Sequence, residues 1–283
     1  MADIPMPVIP DGREDDLHNL ENAAEADLVL FMAGNQFMVL QPLLDAFRSR
    51  FPDIETIVSE TLPPGLELRQ ILAGGAVFRG TVLDIRADVY TSVSIEGMDR
   101  LIRAGLAERR LVRPYLHNRL SLMVPAGNPA DIGQVKDLGK GRIRVSQPDP
   151  ELEDIGFHIV EMYRGAGGKG LVHRIMEQKR AEGTTIFTRV HHRETPLRIT
   201  KGSVDVGPVW ATEILNARSK GESIDAVEPG PDLDQRSRVT YYICPLKSSQ
   251  NEKNAARFIE FIASEEAGEI YRQYGFLPHS AAE

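Results

Sequence analysis

The chain has 283 residues, of which 42% are hydrophobic and 26% are charged, as is ordinary for a globular protein of one large or two medium domains. Its net charge of −8 argues against a general nucleic-acid binder, because such proteins usually carry a basic face. The sequence has no run of about 18 apolar residues, so we expect no membrane insertion.

The N-terminal segment, residues 1–26, is predicted to be an acidic arm that contains several prolines. It has neither the basic start nor the apolar core of a signal peptide. This indicates either a cytoplasmic protein or a chain in which a start Met has replaced the native leader.

Cys244 is the only cysteine, so neither an intrachain disulfide nor a multi-cysteine metal site can form. Its apolar neighbours in the predicted strand 239–245 indicate a buried side chain. We expect no metal ion and no cofactor.

A strand–loop–helix unit occurs twice. The first consists of a strand at 28–32, a polar loop at 33–36 and a helix at 37–51. The second consists of a strand at 143–146, a loop at 147–150 and a helix at 155–163. A helix N-terminus presents unpaired backbone N–H groups and a partial positive charge, so each unit is a candidate anion site. Two units in separate halves of the chain suggest two lobes that hold one small ligand.

The other predicted elements alternate between strands and helices, which favours an α/β fold with mostly parallel sheets. Residues 61–65 are predicted to be a loop because consecutive prolines oppose both helix and ladder hydrogen bonding. Residues 165–170 are predicted to be a flexible turn, since no strand and no Lys-Ser/Thr pair mark a phosphate loop there. The remaining predicted strands are 54–59, 87–90, 119–124 and 204–209, and the remaining predicted helices are 66–73, 95–104, 171–180, 195–200, 254–264 and 266–274.

Ligands of such sheets bind where strand C-termini meet helix N-termini, which selects the loops 33–36, 61–65, 91–94, 146–155, 191–195 and 210–213. Asn35 is either a ligand contact or a helix cap. Thr91 and Ser92 either donate to an anion or belong to a turn that caps the next helix at Ser94. Ser146 begins the fourth of these loops and is a further candidate contact.

The run from His191 to Thr195 is the most unusual of the loops. Adjacent histidines point in different directions, so His191 and His192 are a poor metal pair. Arg193 beside a helix start attracts an anion, unless Glu194 neutralises it in a structural ion pair.

Trp210 ends a predicted strand, where it either walls a ligand pocket and offers one N–H or packs in a core. The sequence contains no nucleophile elbow, zinc-protease motif, Walker loop or dinucleotide fingerprint. This favours a binding protein over an enzyme.

In the order and spacing of several short motifs, the chain resembles the periplasmic solute-binding proteins of ABC importers with the type II two-lobed fold, and among them the molybdate/tungstate-type oxyanion binders. The motifs lie between Asp27 and Pro278. They are Phe31-Met32-Ala33-Gly34-Asn35, residues 68–76, Ala87-Asp88-Val89-Tyr90, residues 118–125, Asp149-Pro150-Glu151 with Gly156, residues 201–207, residues 258–262 and residues 274–278.

The resemblance implies a set of ligand contacts. Asn35 takes the place of a ligand-binding hydroxyl, Gly65 lies near a second, and Trp210 replaces an aromatic hydroxyl. Ile155 and His192 would donate backbone N–H groups. An amide, a glycine and an indole thus stand where the family has hydroxyls. A different oxyanion or a small organic carboxylate therefore fits as well as molybdate, and His191 and Arg193 would suit one.

The resemblance also implies an architecture of two lobes, each a mixed sheet flanked by helices, with a ligand cleft between them. Lobe 1 would hold residues 27–117 and 236–283, and lobe 2 residues 118–235, joined by crossing strands near 117–121 and 226–240. It implies a monomeric periplasmic protein whose native signal peptide is absent, with an ABC permease or a sensor kinase as partner. The alternatives are a ligand-sensing domain of a regulatory protein, although no basic helix-turn-helix precedes Leu28, and an enzyme on the same scaffold, for which Cys244 is a poor nucleophile.

Overall fold

The structure is a computed structural model that describes residues 4–190 and 193–279. Its tertiary contacts divide the chain into two compact units. Unit 1 holds the residues up to His117 and those from Thr240 onward, and unit 2 runs from Asn118 to Val239. Among the described residues, no helix is both long enough and apolar enough to cross a membrane.

Strands and helices alternate along both units. The strands are β1 (Val8–Ile9), β2 (Leu17–His18), β3 (Leu28–Phe31), β4 (Ile57–Glu60), β5 (Ala76–Phe78), β6 (Thr81–Leu83), β7 (Val89–Ser92), β8 (Arg113–His117), β9 (Leu120–Pro125), β10 (Val145–Gln147), β11 (Thr185–Phe187), β12 (Gly207–Trp210), β13 (Ile224–Val227), β14 (Thr240–Pro245) and β15 (Leu277–Pro278). The helices are α1 (Phe37–Arg50), α2 (Pro64–Ala73), α3 (Ile95–Arg103), α4 (Asp154–His173), α5 (Lys179–Ala181), α6 (Glu194–Thr200), α7 (Ala211–Ser219), α8 (Glu252–Ile262) and α9 (Glu265–Gln273).

The large sheet of unit 1 has the strand order β15-β8-β14-β7-β3-β4-β2. Its two parallel pairings join β3 to β4 and β3 to β7, and its four other pairings are antiparallel. The prediction of mostly parallel sheets was therefore wrong for this sheet, whereas the mixed sheet implied by the resemblance is what the unit contains. Every residue of β3, β4 and β7 is buried, as expected for central strands covered on both faces.

Two short strands of the N-terminal segment pair with other strands of unit 1. β1 runs parallel to β5, and β2 runs antiparallel to β4. The backbone N–H of Thr61 also donates to the carbonyl oxygen of Asp16 over 2.8 Å. This segment thus lies against the end of β4, where the loop before α2 begins.

In unit 2, β10 pairs in parallel with β11, and β9 lies between the antiparallel strands β12 and β13. A parallel bridge between Val145 and Val206 places the start of β12 beside β10. The edge formed by β10 and the start of β12 therefore includes Ser146 and Gly207.

Helix α4 is kinked within residues 165–170, where a flexible turn was predicted. It extends from Asp154 to His173, and the non-helical backbone angles are confined to Gly167 and Gly168. Gly168 has a φ of +66°, which glycine adopts without steric cost. The kink at these two glycines thus separates two helical segments inside the range of the predicted turn.

Candidate functional site

In unit 1, β3 passes into α1 through a 3₁₀ turn, Gly34–Gln36. A Cβ atom on Gly34 would lie 2.8 Å from the carbonyl oxygen of Thr61, so only glycine permits this approach of the two loops. Gln36 is fully buried, and its Oε1 accepts hydrogen bonds from Tyr115 (3.0 Å) and Tyr271 (2.8 Å). Burial raises the pKa of both tyrosines, so both hydroxyls stay protonated as donors. The turn Gly34–Gln36 is therefore fixed by the buried hydrogen bonds that Gln36 accepts from these two tyrosines.

Asn35 lies in this turn with 3% of its surface exposed. Its Nδ2 donates to the hydroxyl of Tyr241, and its buried Oδ1 has no hydrogen-bond partner among the described residues. The cap position of α1 is Gln36, which makes no side-chain cap bond. Asn35 is therefore not the cap of α1, and its acceptor atom is left available.

The structure connects Thr91 to the same turn. Its Oγ1 accepts hydrogen bonds from the backbone N–H of Ala33 (2.7 Å) and from Nε2 of Gln36 (3.3 Å). Ser92 is 2% exposed and its Oγ accepts from the N–H of Ser94 over 3.3 Å. Ser94 holds the cap position of α3, but its side chain makes no cap bond. Thr91 thus fixes the position of the turn at residues 34–36.

Gly65 lies in the first turn of α2 and is exposed, and a Cβ atom there would meet nothing within 4 Å. The predicted loop 61–65 was wrong at its end, because α2 begins at Pro64. Proline is tolerated at the first helical position, where its missing N–H would have no helical partner in any case.

A buried polar cluster beside this loop was not predicted. Glu60 at the end of β4 is fully buried, and its Oε1 accepts from Nε2 of Gln70 over 3.0 Å. Among the described residues, Oε2 of Glu60 and Oε1 of Gln70 have no hydrogen-bond partner. Burial raises the pKa of Glu60 to about 7. Glu67 accepts from the N–H of Leu62 over 3.1 Å and so anchors the loop to α2.

In unit 2, the carboxyl end of β10 carries Ser146, which is fully buried. Its hydroxyl lies 2.8 Å from that of Thr195, and it accepts a hydrogen bond from Nη1 of Arg198 over 3.1 Å. A Cβ atom on Gly207 would lie 2.2 Å from Cγ2 of Thr195, so glycine is required where β12 passes α6. Ser146, Thr195 and Arg198 thus form a hydroxyl–guanidinium cluster at this edge.

Arg198 was missed in the sequence. Its guanidinium also donates to the carbonyl oxygens of Ile186 (3.0 Å) and Phe187 (2.9 Å), and pairs with Glu194 over 2.7 Å. The i,i+4 spacing of Glu194 and Arg198 was the available signal, since such residues meet on one face of a helix. Arg198 thereby ties α6 to β10 and β11.

The start of α4 is joined to the segment after β11, because the hydroxyl of Thr188 donates to Oε1 of Glu153 over 2.7 Å. A Cβ atom on Gly156 would lie 2.5 Å from Cα of Pro150, so glycine allows the loop before α4 to pack on the helix. Ile155 is 2% exposed and belongs to the first turn of α4, in which the backbone N–H of Gly156 donates to the carbonyl oxygen of Glu153 over 3.0 Å. The helical segment that runs from Asp154 to the kink at Gly167 adds a partial positive charge at this end.

His191 and His192 lie outside the described residues. Arg193 is half-buried and precedes α6. The Oε1 of Glu194 accepts from the N–H groups of Arg189 (2.8 Å) and Val190 (2.7 Å), and its Oε2 pairs with Arg198. The Glu194 carboxylate thus organises the loop before α6.

Trp210 ends β12, as predicted, and is 2% exposed. Its ring centroid lies 5.8 Å from that of His158 on α4. Cys244 is fully buried in β14, as predicted, and burial raises the pKa of its thiol to about 12. A thiol that stays protonated in this way is a poor nucleophile.

The structure therefore places predicted residues in each of the two units. Asn35 and Thr91 meet at the turn after β3, with Ser92 next to Thr91 in β7. In unit 2, Ser146 lies in β10 beside Gly207 at the start of β12, whereas Trp210 ends β12 and packs against His158. Gly65 lies in the first turn of α2 and not in the turn after β3.

Comparisons with known proteins agree with this fold. The periplasmic molybdate-binding protein of Azotobacter vinelandii is 17% identical, with a TM-score of 0.71 over 89% of this chain and 100% of that chain. PEB3 of Campylobacter jejuni, in a structure with bound L-phospholactate, is 14% identical, with a TM-score of 0.63 over 89% of this chain and 100% of that chain. A sulfate-binding protein of Synechococcus elongatus is 23% identical over 216 residues, which are 72% of this chain and 61% of that protein.

The α/β architecture predicted from the sequence, with mixed sheets flanked by helices, is confirmed by the two units and by these structural likenesses. The family model that describes the bacterial extracellular solute-binding protein matches residues 28–277. The chain therefore belongs to the bacterial extracellular solute-binding protein family.

Proposed function

We propose that this protein captures a small anion and delivers it to an ABC importer in the cell envelope. The candidate contacts in unit 1 are Asn35, Gly65, Thr91 and Ser92. Those in unit 2 are Ser146, Ile155, His191, His192, Arg193 and Trp210.

The observation that carries this proposal is the donor-rich edge of unit 2. Arg198 donates to Ser146 Oγ over 3.1 Å, and Ser146 lies 2.8 Å from Thr195 Oγ1, where β10 passes Gly207 at the start of β12. The first turn of α4 adds the backbone N–H of Ile155 and the partial positive charge of a helix start. Such an arrangement favours a negatively charged ligand.

The donors at this edge can bind an anion although none of them is a buried cation without a counter-ion. Arg198 is already paired with Glu194, so it supplies polarisation and not a separate ion pair with the ligand. A full salt bridge that is buried without compensation is costly, whereas several neutral donors share the charge of the ligand and allow its release.

Two of the relatives described above are named for molybdate and sulfate, and the structure of PEB3 holds L-phospholactate, and all three ligands are anions. This agreement supports a small anion as the class of ligand. The family membership supports an ABC permease as the partner and a periplasmic location, and we expect the protein to act as a monomer.

A thermal-shift screen tests the proposal. The panel contains molybdate, tungstate, sulfate, phosphate, arsenate and small carboxylates, with glucose and calcium chloride as controls. An anion present at 100 times its dissociation constant adds about 2.7 kcal/mol to the free energy of unfolding. If no anion raises the melting temperature while a sugar or a cation does, the proposal fails.

A substitution in unit 2 extends the test. Arg193→Ala with an unchanged melting temperature and a lost anion response indicates a direct contact. Arg193→Ala with a lower melting temperature and a retained anion response assigns Arg193 a purely structural role.

A further inference from the structure

The orientation of Asn35 carries an inference about which anions this protein accepts, and the inference rests on the proposed function. A side-chain amide has one donor end and one acceptor end, held in a plane. In this structure the donor end is committed, because Nδ2 donates to the hydroxyl of Tyr241. The end that remains for another partner is the acceptor Oδ1.

Tyr241 is in turn held in place. It is fully buried. Its ring packs edge-on against the rings of Tyr115 and Phe276, with 6.3 Å and 6.1 Å between the ring centroids. The hydroxyl that fixes Asn35 therefore has little freedom to move. The 3₁₀ turn that carries Asn35 is fixed as well, through Gln36 and its two tyrosine donors.

The Oδ1 atom of Asn35 is buried and has no hydrogen-bond partner among the described residues. A buried acceptor without a donor is costly, so this atom favours any ligand that brings an N–H or O–H group to it. It disfavours a ligand that presents only acceptor oxygens, because two acceptors repel.

Tetrahedral oxyanions differ in this respect. Sulfate and molybdate are fully ionised at neutral pH and present only acceptor oxygens, whereas hydrogen phosphate and hydrogen arsenate keep one O–H. We propose that Asn35 selects singly protonated oxyanions of the hydrogen-phosphate type and rejects fully ionised ones such as sulfate and molybdate. Specificity of this kind arises from the mismatch with the wrong ligand as much as from contacts with the right one.

Isothermal titration of the wild-type protein at pH 7 with inorganic phosphate, arsenate, sulfate and molybdate tests this selection. We expect phosphate and arsenate to bind at least about tenfold more tightly than sulfate and molybdate, since each unmatched polar contact changes affinity by about this factor. Equal or tighter binding of sulfate or molybdate overturns the inference and leaves the proposed function intact. If none of these four anions binds, the inference fails, and the proposed function fails with it only if no carboxylate of the thermal-shift panel binds either.

Methyl phosphate distinguishes the free ion from a phosphate ester. A phosphate monoester loses its last O–H with a pKa of about 6, whereas inorganic phosphate keeps one above that pH. We expect the affinity for methyl phosphate to fall between pH 5.5 and 8, while that for inorganic phosphate persists. A methyl phosphate affinity that rises over this range contradicts an acceptor at Asn35.

Variants of Asn35 and Tyr241 test whether the orientation of the Asn35 amide determines which anions bind. Tyr241→Phe frees Nδ2, so the amide can turn its donor to the ligand, and the ratio of phosphate to sulfate affinity should fall about tenfold. Asn35→Ser restores a hydroxyl donor and should lower the same ratio, whereas Asn35→Asp keeps an acceptor and should preserve it. Tyr163→Phe removes a buried tyrosine hydroxyl in unit 2 that bonds Gln147 and not Asn35, so the ratio should not change.

These ratios are compared only among variants whose circular dichroism spectra match that of the wild type. A merely structural role of Asn35 would lower both affinities together and leave the ratio constant in all variants, and this outcome overturns the inference.

Discussion

Arg198 donates a hydrogen bond to the hydroxyl of Ser146 over 3.1 Å, across 52 positions of the chain. One lone pair of Ser146 Oγ is thereby occupied by a cationic donor. The hydroxyl proton of Ser146 is then directed to Thr195 or to a ligand, since Thr195 Oγ1 lies 2.8 Å from Ser146 Oγ. This relationship makes Arg198 a positioning residue for a proposed ligand contact.

Replacement of Arg198 should weaken both the fold and anion binding. Arg198→Gln leaves Glu194 Oε2 and the carbonyls of Ile186 and Phe187 without their guanidinium donor. We expect a loss of about 2–4 kcal/mol in the free energy of unfolding, measured by urea denaturation.

The matched control is Arg218→Gln in the same unit, where the ion pair with Asp225 spans 3.9 Å and both side chains are about half exposed. Such surface pairs contribute about 0–1 kcal/mol. Equal effects of the two substitutions would refute the positioning role of Arg198.

The close approach of Gly207 and Thr195 predicts that a substitution of Thr195 restores stability that is lost on substitution of Gly207. Gly207→Ala places a methyl group 2.2 Å from Cγ2 of Thr195, and overpacking of this kind costs about 1–3 kcal/mol. Thr195→Ser removes Cγ2, so the double variant should recover part of the lost stability in thermal denaturation. A double variant no more stable than Gly207→Ala alone would show that another contact is responsible, such as the Ser146 carbonyl oxygen at 3.2 Å.

Two glycines of α4 should respond in opposite ways to alanine. Gly156→Ala conflicts with Cα of Pro150 at 2.5 Å, so it should displace the loop before α4 and lower anion affinity. Gly170→Ala meets no atom within 4 Å and should stabilise the helix by about 0.5–1 kcal/mol. Melting temperatures and anion titrations of the two variants check this contrast. Full anion affinity in Gly156→Ala would exclude the start of α4 from the site.

Glu60 should make the stability of the protein depend on pH. Burial raises its pKa from 4.5 to about 7, so the folded state binds the proton more tightly than the unfolded state does. The stability associated with the protonated form is complete below pH 4.5 and is lost as the pH rises through about 7. The loss amounts to about 3 kcal/mol by pH 8.

Glu60→Gln keeps the shape of the side chain and cannot ionise. We expect this variant to equal the wild type at pH 5 and to exceed it at pH 8 in urea denaturation. Glu14→Gln is the control, because Glu14 is exposed and the hydrogen bond from Arg79 lowers its pKa. A wild-type pH profile that persists in Glu60→Gln would assign the dependence to another group.

The central strands of the fold could be predicted because their apolar runs are long. The predicted strand at 28–32 is β3, and the predicted strand at 204–209 overlaps β12. The hairpin of β5 and β6 escaped prediction, since each strand has three residues and β6 is largely exposed. The short β2 pairs across the chain with β4, which no local pattern reveals.

The site could be predicted only as far as its loops. Asn35, Thr91 and Ser146 were selected because they follow predicted strands, and the structure places each at a strand end or in the turn beyond it. Their partners were not predictable, because Tyr241 lies 206 positions from Asn35. Arg198 reads in the sequence as one more charge on an amphipathic helix, and tertiary structure alone turns it toward Ser146.

Isothermal titration of the purified protein with small anions and neutral solutes tests the central claim most directly. We expect saturable binding of one oxyanion per chain, with a dissociation constant of about 10 μM or tighter, and no heat with sugars. Binding of a neutral sugar or of a cation, with no heat from any anion, would contradict the claim that this family member captures an anion.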